Sequence, residues 1–229
     1  MKHIVVLTGA GMSAESGIAT FRDTGGLWEQ HRVEDVATPE GFRKNPQLVL
    51  DFYNARRKAA FDAKPNKGHI GLAEMESDYK VSIITQNVDD LHERAGSTNV
   101  LHLHGELSKV RSSVDPSLIY TLTSDKPEIH LGDKCEKGSQ LRPHIVWFGE
   151  AVPMIERAMK IVQTADVLVV IGTSLNVYPA AGLLNYAPPS TSVYLIDPNE
   201  VKTSFHEVHF IKKGASDGVE ELRKLLKGD

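Results

Sequence analysis

The chain alternates short apolar runs with helical patterns, and this alternation constrains the fold more than any other feature. Four runs have the composition of strands buried on both faces of a parallel sheet: residues 4–7, 81–85, 167–171 and 193–196. Helical patterns lie between and after them, at about residues 45–63, 67–77, 88–94, 153–164, 179–186 and 217–226. Strands that alternate with helices predict an α/β fold, here a Rossmann-like parallel sheet with helices on both faces.

Two stretches interrupt this alternation and predict a second, smaller lobe. Residues 29–77 form a long helical insertion, and residues 106–145 are irregular apart from a run at 118–122 that favours short antiparallel strands. The larger lobe then comprises residues 1–28, 78–105 and 146–229 of a single domain, 1–229. Ligands of open α/β sheets bind beyond the carboxyl ends of the strands, so the cleft between the lobes is the expected site.

The charge and the cysteine content exclude several classes of protein. The 26 Lys and Arg residues against 30 Asp and Glu residues give a net charge of −4, which argues against a nucleic acid or an anionic membrane as the main partner. No apolar run approaches the roughly 18 residues that span a bilayer, and the apolar run near the N-terminus is too short for a signal peptide. The single cysteine, Cys135, allows no intramolecular disulfide, so we expect a reducing, cytoplasmic setting.

A glycine-rich turn directly follows the first predicted strand. Gly9, Ala10, Gly11, Ser13 and Ala14 belong to a G-x-G-x-x-A sequence, whose glycines allow a tight turn and the close approach of a pyrophosphate to a helix N-terminus. An ordinary strand-to-helix turn is the alternative. In a dehydrogenase a second strand would end in an acidic residue about 20 positions later, whereas residues 21–28 have the composition of a loop. This loop weakens the dehydrogenase interpretation without excluding it.

Polar residues also follow the second predicted strand. Gln86, Asn87 and Asp89 lie at its carboxyl end, where side chains point into the expected cleft. His104 has the chemistry of a general base near pH 7, and His102, two residues earlier, would share its strand face. For each histidine of this region taken alone, a structural role is the competing interpretation.

Two later strand ends add groups suited to a nucleotide. Gly172, Thr173 and Ser174 follow the third strand and offer amides and hydroxyls to a phosphate. Asp197 follows the fourth strand, where an acidic residue would hold a ribose. Either group alone is also consistent with an ordinary helix N-cap. Three such strand ends in one sheet together favour a dinucleotide.

These motifs together resemble those of the sirtuins, which are NAD-dependent protein lysine deacylases. The similarity runs in order through residues 9–18 with Phe21 and Arg22, then residues 85–89, 103–105, 143–150 and 172–174, and it leaves out residues 109–140. The resemblance implies that NAD is consumed as a co-substrate. The acyl oxygen of an acyl-lysine attacks the ribose carbon that carried nicotinamide, and nicotinamide and O-acyl-ADP-ribose are released.

The resemblance also implies roles for particular residues. His104 would be the general base, and Asn87 would position the ribose and a water molecule. Ala10, Ile18 and Asp89 would line the nicotinamide pocket. The implied NAD-binding set is Gly9, Ala10, Gly11, Ser13, Ala14, Glu15, Ile18, Phe21, Arg22, Trp28, Gln86, Asn87, Asp89, His104, Gly172, Thr173, Ser174, Asp197, Asn199 and Ala215.

The acyl-lysine substrate is expected on two further segments. The resemblance implies that a substrate peptide adds as a strand to Val146, Trp147, Phe148 and Gly149, with Phe148 beside the lysine channel. Tyr53 and Arg56 lie on one face of a predicted helix and together suit a terminal carboxylate, although without the family context they would be surface residues. With Ala37 they resemble the class III branch, whose members prefer succinyl, malonyl or glutaryl lysine. We therefore expect a desuccinylase and demalonylase with some deacetylase activity.

Cys135 marks a departure from the family pattern. Sirtuins usually hold zinc in the small lobe through two cysteine pairs. This chain has Val110, Arg111, Ser112 and Ser113 where the first pair should begin, and only Cys135 remains in residues 133–138, where the second should lie. One thiolate does not complete a tetrahedral site, even with His130 or His144 nearby, so we expect no metal and a lobe held by its own strands and apolar contacts. Two alternatives to a deacylase stay open, an NAD-binding dehydrogenase and a non-catalytic sensor of NAD or ADP-ribose.

Overall fold

Six parallel strands form the larger sheet of the computed structural model, which describes residues 1–20, 30–201 and 207–228. The strands are β1 (His3–Thr8), β2 (Lys80–Thr85), β3 (Val100–His102), β7 (Val167–Ile171), β8 (Ser192–Ile196) and β9 (His209–Ile211). Their order, β3-β2-β1-β7-β8-β9, confirms the predicted α/β fold. The four strands predicted from apolar runs are the four central ones, and the two short strands that escaped prediction are at the edges.

Helices lie on both faces of this sheet and in the smaller lobe. Those of the described residues are α1 (Gly11–Ala14), α2 (Val33–Val36), α3 (Pro39–Lys44), α4 (Pro46–Asp62), α5 (Lys67–Glu74), α6 (Leu91–Arg94), α7 (Ile155–Val162) and α8 (Ala215–Gly228). Met75–Ser77 and Ala180–Tyr186 are 3₁₀ helices. Within the described part of the chain, no helix has the length and apolar character needed to cross a bilayer.

Alternate residues of β1 supply the two faces of the core. Ile4 and Val6 pack with residues of α5 and α8 on one face, and Val5 and Leu7 pack with residues of α7 and the second 3₁₀ helix on the other. All four side chains are buried. Because helices cover both faces, the four central positions of the strand are all apolar, and the pattern is a continuous run rather than an alternation.

Helix α5 packs against the larger sheet, although residues 29–77 were expected in the smaller lobe. Leu72 of α5 and Met75 of the following 3₁₀ helix belong to the same core cluster as Ile4 and Val6 of β1. The helix also packs against α8. The helical part of the smaller lobe therefore ends with α4, because the sheet buries the apolar face of α5.

The smaller lobe combines α2, α3 and α4 with a three-stranded antiparallel sheet. Its strands are β4 (Gly105–Ser112), β5 (Ile119–Thr121) and β6 (Leu141–Ile145), in the order β5-β4-β6. Arg57 of α4 is fully buried and donates hydrogen bonds to the main-chain oxygens of Leu107 and Pro127, the latter at 2.7 Å. These bonds fix α4 to the small sheet.

Candidate active site

The carboxyl ends of the central strands lie side by side. Thr8 of β1 pairs with Thr85 of β2 on one side and with Ile171 of β7 on the other. The segments that follow these strands therefore begin at the same level of the sheet. They are the segments in which the sequence places the glycine turn, the residues from Gln86 to Asp89, and the turn at Gly172.

The glycines of the first turn allow it to pack directly against the turn that follows β7. The N–H of Gly11 donates to the oxygen of Gly172 at 2.9 Å, and a Cβ atom on Gly11 would lie 2.7 Å from the Cα of Gly172. The N–H groups of Gly9, Met12 and Ser13 also donate within the protein. The turn was expected to offer these amides to a pyrophosphate. Instead the glycines are required mainly by the close contact between the two turns.

Three polar groups of Asn87 form hydrogen bonds within the protein: its N–H, its side-chain Nδ2 and its main-chain oxygen. Its N–H donates to Thr85 Oγ1 at 3.0 Å, and its side-chain Nδ2 donates to the oxygen of Gly9 at 2.9 Å and to Ser13 Oγ at 3.1 Å. Its main-chain oxygen lies 3.1 Å from Nδ1 of His102. Within the described residues Oδ1 has no hydrogen-bond partner, and the side chain lines the cavity described below. Asn87 thus presents a fixed acceptor to a ligand.

Two neighbours of Asn87 complete this network. Ser13 Oγ donates to Asp89 Oδ2 at 3.0 Å, and Gln86 Nε2 donates to Thr173 Oγ1 at 3.1 Å. Burial raises the pKa of Asp89, although the hydrogen bonds from Leu91 N–H and Ser13 act in the opposite direction. The polar residues of three strand ends are therefore connected to one another.

His104 has the arrangement of a general base. Its Nδ1 lies 3.2 Å from the main-chain oxygen of Gln86, an atom that only accepts, so Nδ1 carries the proton and Nε2 has a free lone pair. No described residue donates to or accepts from Nε2. Burial lowers the pKa of His104, and the bond to Gln86 offsets this in part. The imidazole is therefore neutral at pH 7 and ready to accept a proton.

A cavity of about 420 Å³ lies between the glycine turn and α4. Ala10, Ile18 and Asp89, which the resemblance assigns to the nicotinamide pocket, all line it. Its other lining residues are Ser13, Ala19, Gln30, His31, Leu48, Asp51, Phe52, Ala55, Arg56, Ala59, Asn87, Val88 and Leu107. One cavity therefore joins the expected nicotinamide site to the helix that carries the expected acyl site.

Arg56 and Tyr53 do not share the cavity in the way that their spacing predicts. Arg56 lines it, whereas Tyr53 is buried behind it, with its hydroxyl accepting a hydrogen bond from Nε1 of Trp147 at 3.0 Å. The guanidinium carbon of Arg56 lies 5.5 Å from the ring centre of Tyr53 and 5.4 Å from that of Phe52. The two rings support the arginine, and the phenol belongs to the core of the smaller lobe.

The segment expected to pair with a substrate peptide has few free donors. The N–H of Val146 donates to the oxygen of His104 and that of Phe148 to the oxygen of Ala37, both at 3.0 Å. The N–H of Trp147 donates to Glu150 Oε2 at 2.8 Å. A peptide strand added here would therefore have to donate to carbonyl groups. Phe148 is 45% exposed and Gly149 has a φ of +88°, so both remain accessible next to buried Ala37.

The remaining predicted NAD-binding residues lie around the sheet edge or outside the described chain. Glu15 Oε1 accepts a hydrogen bond from the N–H of Ser216 at 3.1 Å, next to buried Ala215. Asp197 Oδ1 accepts one from the N–H of Asn199 at 2.8 Å. Ala14, Ser174 and Asn199 are exposed. Phe21, Arg22 and Trp28 lie outside the described residues.

One face of α4 contributes residues that the sequence reasoning missed. Leu48, Phe52, Ala55 and Ala59 line the cavity together with Arg56. Their spacing is that of a single helix face, and this periodicity is the signal that would have identified them.

The sequence also did not predict that His69 and His92 form a buried group next to the site. His92 Nε2 lies 3.1 Å from Thr8 Oγ1, and the ring centres of His92 and His69 are 4.8 Å apart. Burial lowers the pKa of both rings, that of His69 to about 4. No local pattern reveals this network, because its members come from three separate elements.

The residues at the expected zinc positions form hydrogen bonds with one another instead. Ser112 Oγ accepts from the N–H groups of Val114 and Asp115 at 3.2 and 3.1 Å, and a hydrogen bond from Ser112 lowers the pKa of Cys135. Among the described residues no three His, Cys, Asp or Glu side chains are placed to hold a metal ion. The residues of this lobe therefore do not fit zinc.

Comparisons with known proteins identify the family. The Sir2 family matches residues 9–179. A curated NAD-dependent protein deacylase of Bacteroides thetaiotaomicron is 61% identical over 230 residues, which cover 99% of this chain and 98% of that protein. Another of the same name, from Helicobacter pylori, is 54% identical over 227 residues, with 99% and 98% covered.

Solved structures agree with this match. A Sir2 homologue in complex with NAD has a TM-score of 0.89 at 43% identity and covers 99% of this chain and 90% of its own. A Sir2 complex with a p53 peptide and NAD+ has a TM-score of 0.81 at 29% identity, with 99% and 94% covered. The chain therefore belongs to the Sir2 family, the sirtuins.

Proposed function

We propose that this sirtuin is an NAD-dependent protein lysine deacylase that prefers acyl groups with a terminal carboxylate. Its substrates are acyl-lysine side chains of proteins or peptides, and its products are lysine, nicotinamide and O-acyl-ADP-ribose. The observation that carries the activity is the free Nε2 of neutral His104 beside the fixed acceptor of Asn87. The names of the relatives and the NAD and peptide complexes of the structural neighbours support it.

The residues of this chain fit NAD. The cavity beside Asn87 and Asp89 is large enough for a nicotinamide ring, and Ala10 of the glycine turn lines it. NAD supplies an electrophilic ribose carbon when nicotinamide departs. Ala10, Ser13, Ile18, Asn87 and Asp89 would hold the nicotinamide side, and Thr173, Ser174, Asp197, Asn199 and Ala215 the remainder.

His104 and Asn87 divide the proton transfer and the positioning between them. His104 Nε2 accepts the proton of a ribose hydroxyl, since Nδ1 already donates to Gln86. Asn87 Oδ1 accepts a hydrogen bond from a ribose hydroxyl or from a water molecule, since both Nδ2 protons are used by Gly9 and Ser13. Neither residue has to move before it acts, which is the arrangement that general-base catalysis requires.

Arg56 supports the preference for acidic acyl groups. It is the one Lys or Arg among the described residues that line the cavity, and alanine and aromatic side chains surround it. Burial lowers the pKa of its guanidinium below the usual value, and the charges of Tyr53 and Asp89 act in the opposite direction, so the group stays charged at pH 7. A carboxylate at the end of an acyl chain would accept charge-assisted hydrogen bonds from it, each contributing about 1.5–3 kcal/mol.

The test compares succinyl-lysine and acetyl-lysine peptides of one sequence. We expect Arg56→Met to lower kcat/KM for the succinyl peptide by about 10- to 100-fold, which corresponds to one lost charged hydrogen bond. Turnover of the acetyl peptide should fall much less. Lys58→Met is the matched control, because Lys58 is an exposed cation on the same helix that pairs only with Asp62 among the described residues. Mass spectrometry of nicotinamide and O-acyl-ADP-ribose follows both reactions.

The outcomes separate the two parts of the proposal. If the wild-type protein released no nicotinamide from NAD in the presence of either peptide, the deacylase activity would be contradicted. An Arg56→Met protein with the wild-type ratio of succinyl to acetyl turnover would contradict the carboxylate contact alone.

A further inference from the structure

His102 is a partly buried histidine that the mechanism above does not use. Its Nδ1 lies 3.1 Å from the main-chain oxygen of Asn87, and its Nε2 lies 2.7 Å from Glu93 Oε1. A main-chain oxygen and an ionised carboxylate can only accept hydrogen bonds. Both ring nitrogens must therefore carry a hydrogen, so the geometry is that of an imidazolium ion.

The neighbouring His104 has a different arrangement. Both rings donate from Nδ1 to consecutive main-chain oxygens, His104 to Gln86 and His102 to Asn87. Glu93 faces Nε2 of His102 only, and within the described residues nothing faces Nε2 of His104. β3 ends at His102, so His104 lies just after the strand and the two rings do not share a strand face as the sequence predicted. Their two environments separate the protonation states of the histidines, one kept as a donor and the other left as a base.

The main-chain carbonyl of Asn87 depends on this donor. Thr85 Oγ1 accepts from the N–H of Asn87 in the preceding peptide group, and among the described residues His102 is the group that holds the carbonyl of Asn87 in the following one. Gly9 and Ser13 already hold Nδ2 of Asn87. The direction of Oδ1 then depends on where the main chain places the rest of the side chain. A shift of the Asn87 carbonyl would therefore move the acceptor that faces the cavity.

We propose that His102, held by Glu93, is a positioning residue that fixes the main-chain carbonyl of Asn87 and so aims Oδ1 at the reacting groups. This inference rests on the proposed deacylase function and extends it to a residue that does not itself touch the substrate. Loss of the ring's second proton would break the arrangement. The neutral ring keeps the proton on Nε2, which donates to Glu93. Nδ1 then has a lone pair that faces the main-chain oxygen of Asn87, and the hydrogen bond between them is lost.

The charges around His102 keep it protonated. Burial lowers its pKa, but the hydrogen bond and the charge of Glu93 outweigh this and leave the pKa above its ordinary value of 6.5. The other titratable groups that interact with it are Glu106 on β4, Asp89 on the strand-end segment and His92 on α6, and Lys109 acts on Glu93. We therefore expect deacylation to fall as the pH rises through a midpoint above 6.5, and this is the alkaline fall tested below.

Two substitutions at His102 separate its two hydrogen bonds. The amide nitrogen of asparagine occupies the position of Nδ1, whereas that of glutamine occupies the position of Nε2. His102→Asn therefore retains a donor for Asn87 and loses the contact with Glu93, and His102→Gln does the reverse. Each variant removes the charge and one hydrogen bond, so each controls for the other's effect on stability.

The measurement is kcat and KM for deacylation of whichever acyl peptide the wild-type protein turns over, between pH 6 and pH 10. We expect His102→Gln to lower kcat by about tenfold, the equivalent of one hydrogen bond, with the KM for NAD changed by less than about threefold. His102→Asn should stay within about threefold of wild type in kcat and should lose the alkaline fall, because an amide does not titrate.

Three results would overturn the proposal: equal kcat values for the two variants, a greater loss in His102→Asn, or an alkaline fall that survives in His102→Asn. The protonation of His102 in the full-length protein is measured separately by ¹⁵N NMR at pH 6, below the ordinary histidine pKa of 6.5. A neutral ring would refute the inference even if the wild-type protein turned over no acyl peptide, a result that would itself contradict the proposed function.

Discussion

Gly172→Ala tests whether the contact between the two glycine turns holds the active site together. Gly172 has a φ of +60°, and a Cβ atom built on it would lie 2.6 Å from the Cα and 2.5 Å from the carbonyl carbon of Gly11. Both are main-chain atoms, so no side chain can rotate away to make room. The methyl group must either push the turns apart or displace its own main chain.

The expected cost has two components that a matched glycine separates. An alanine in the left-handed region costs about 1 kcal/mol relative to glycine wherever it occurs. Overpacking against fixed neighbours adds about 1–3 kcal/mol. Gly138 has a φ of +82° and no described atom within 4 Å of a built Cβ, so Gly138→Ala isolates the first component. We expect a loss of about 2–4 kcal/mol in the free energy of unfolding for Gly172→Ala and about 1 kcal/mol for Gly138→Ala.

Urea unfolding measures both losses, and the slopes must match for the free energies to be comparable. The KM for NAD is the functional readout. It should rise in Gly172→Ala because Gly9, in the displaced turn, supplies the oxygen that accepts from Asn87 Nδ2. It should be unchanged in Gly138→Ala. Equal destabilisation by the two variants would refute the reasoning, since the contact with Gly11 would then contribute nothing.

Two predictions concern the buried histidines and their pH dependence. Because burial lowers the pKa of His104, kcat/KM for deacylation should rise on the acid side with a midpoint below pH 6.5, and His104→Tyr should abolish deacylation while NAD still binds. A midpoint at or above 6.5, or an active His104→Tyr protein, would contradict the assignment of the base. His69 binds a proton near pH 6.5 when unfolded but only near pH 4 when folded. Its contribution to stability is therefore complete above pH 6.5 and is lost as the pH falls toward 4, at a cost of about 3 kcal/mol. Urea unfolding between pH 7 and pH 4 should show a shallower loss for His69→Gln, and an equally steep loss would show that His69 does not titrate in this way.

The sheet was predictable because its signal is local. A strand covered by helices on both faces is mostly apolar along a continuous run, and four such runs gave the four central strands. The edge strands β3 and β9 have three residues each and give no comparable pattern. The placement of α5 was not predictable either, because its apolar face identifies a buried helix but not the surface that buries it.

The candidate site likewise has features that the sequence predicts and features that depend on tertiary contacts. The strand-end motifs are contiguous in sequence, and the fold brings them to one edge of the sheet. Tyr53 and Arg56 share a helix face by spacing, yet only Arg56 lines the cavity. Nε1 of Trp147, more than ninety residues away in the chain, holds the phenol in the core of the smaller lobe. Spacing along a helix gives the direction of a side chain and says nothing about its partners.

The sequence by itself determined the fold class, the family and the residue types available for chemistry, because apolar periodicity and contiguous motifs are properties of short segments. Only the tertiary structure decided that the glycines serve the contact between two turns, and that Asn87 presents an acceptor. It also gave two neighbouring histidines different hydrogen-bond partners, since His102 contacts a carboxylate as well as a main-chain oxygen and His104 contacts a main-chain oxygen. The physical reason is that a hydrogen-bond partner or a nearby charge fixes the protonation state and orientation of a polar group. In this protein those partners come from strand-end segments and helices that are separate from the histidines in the chain.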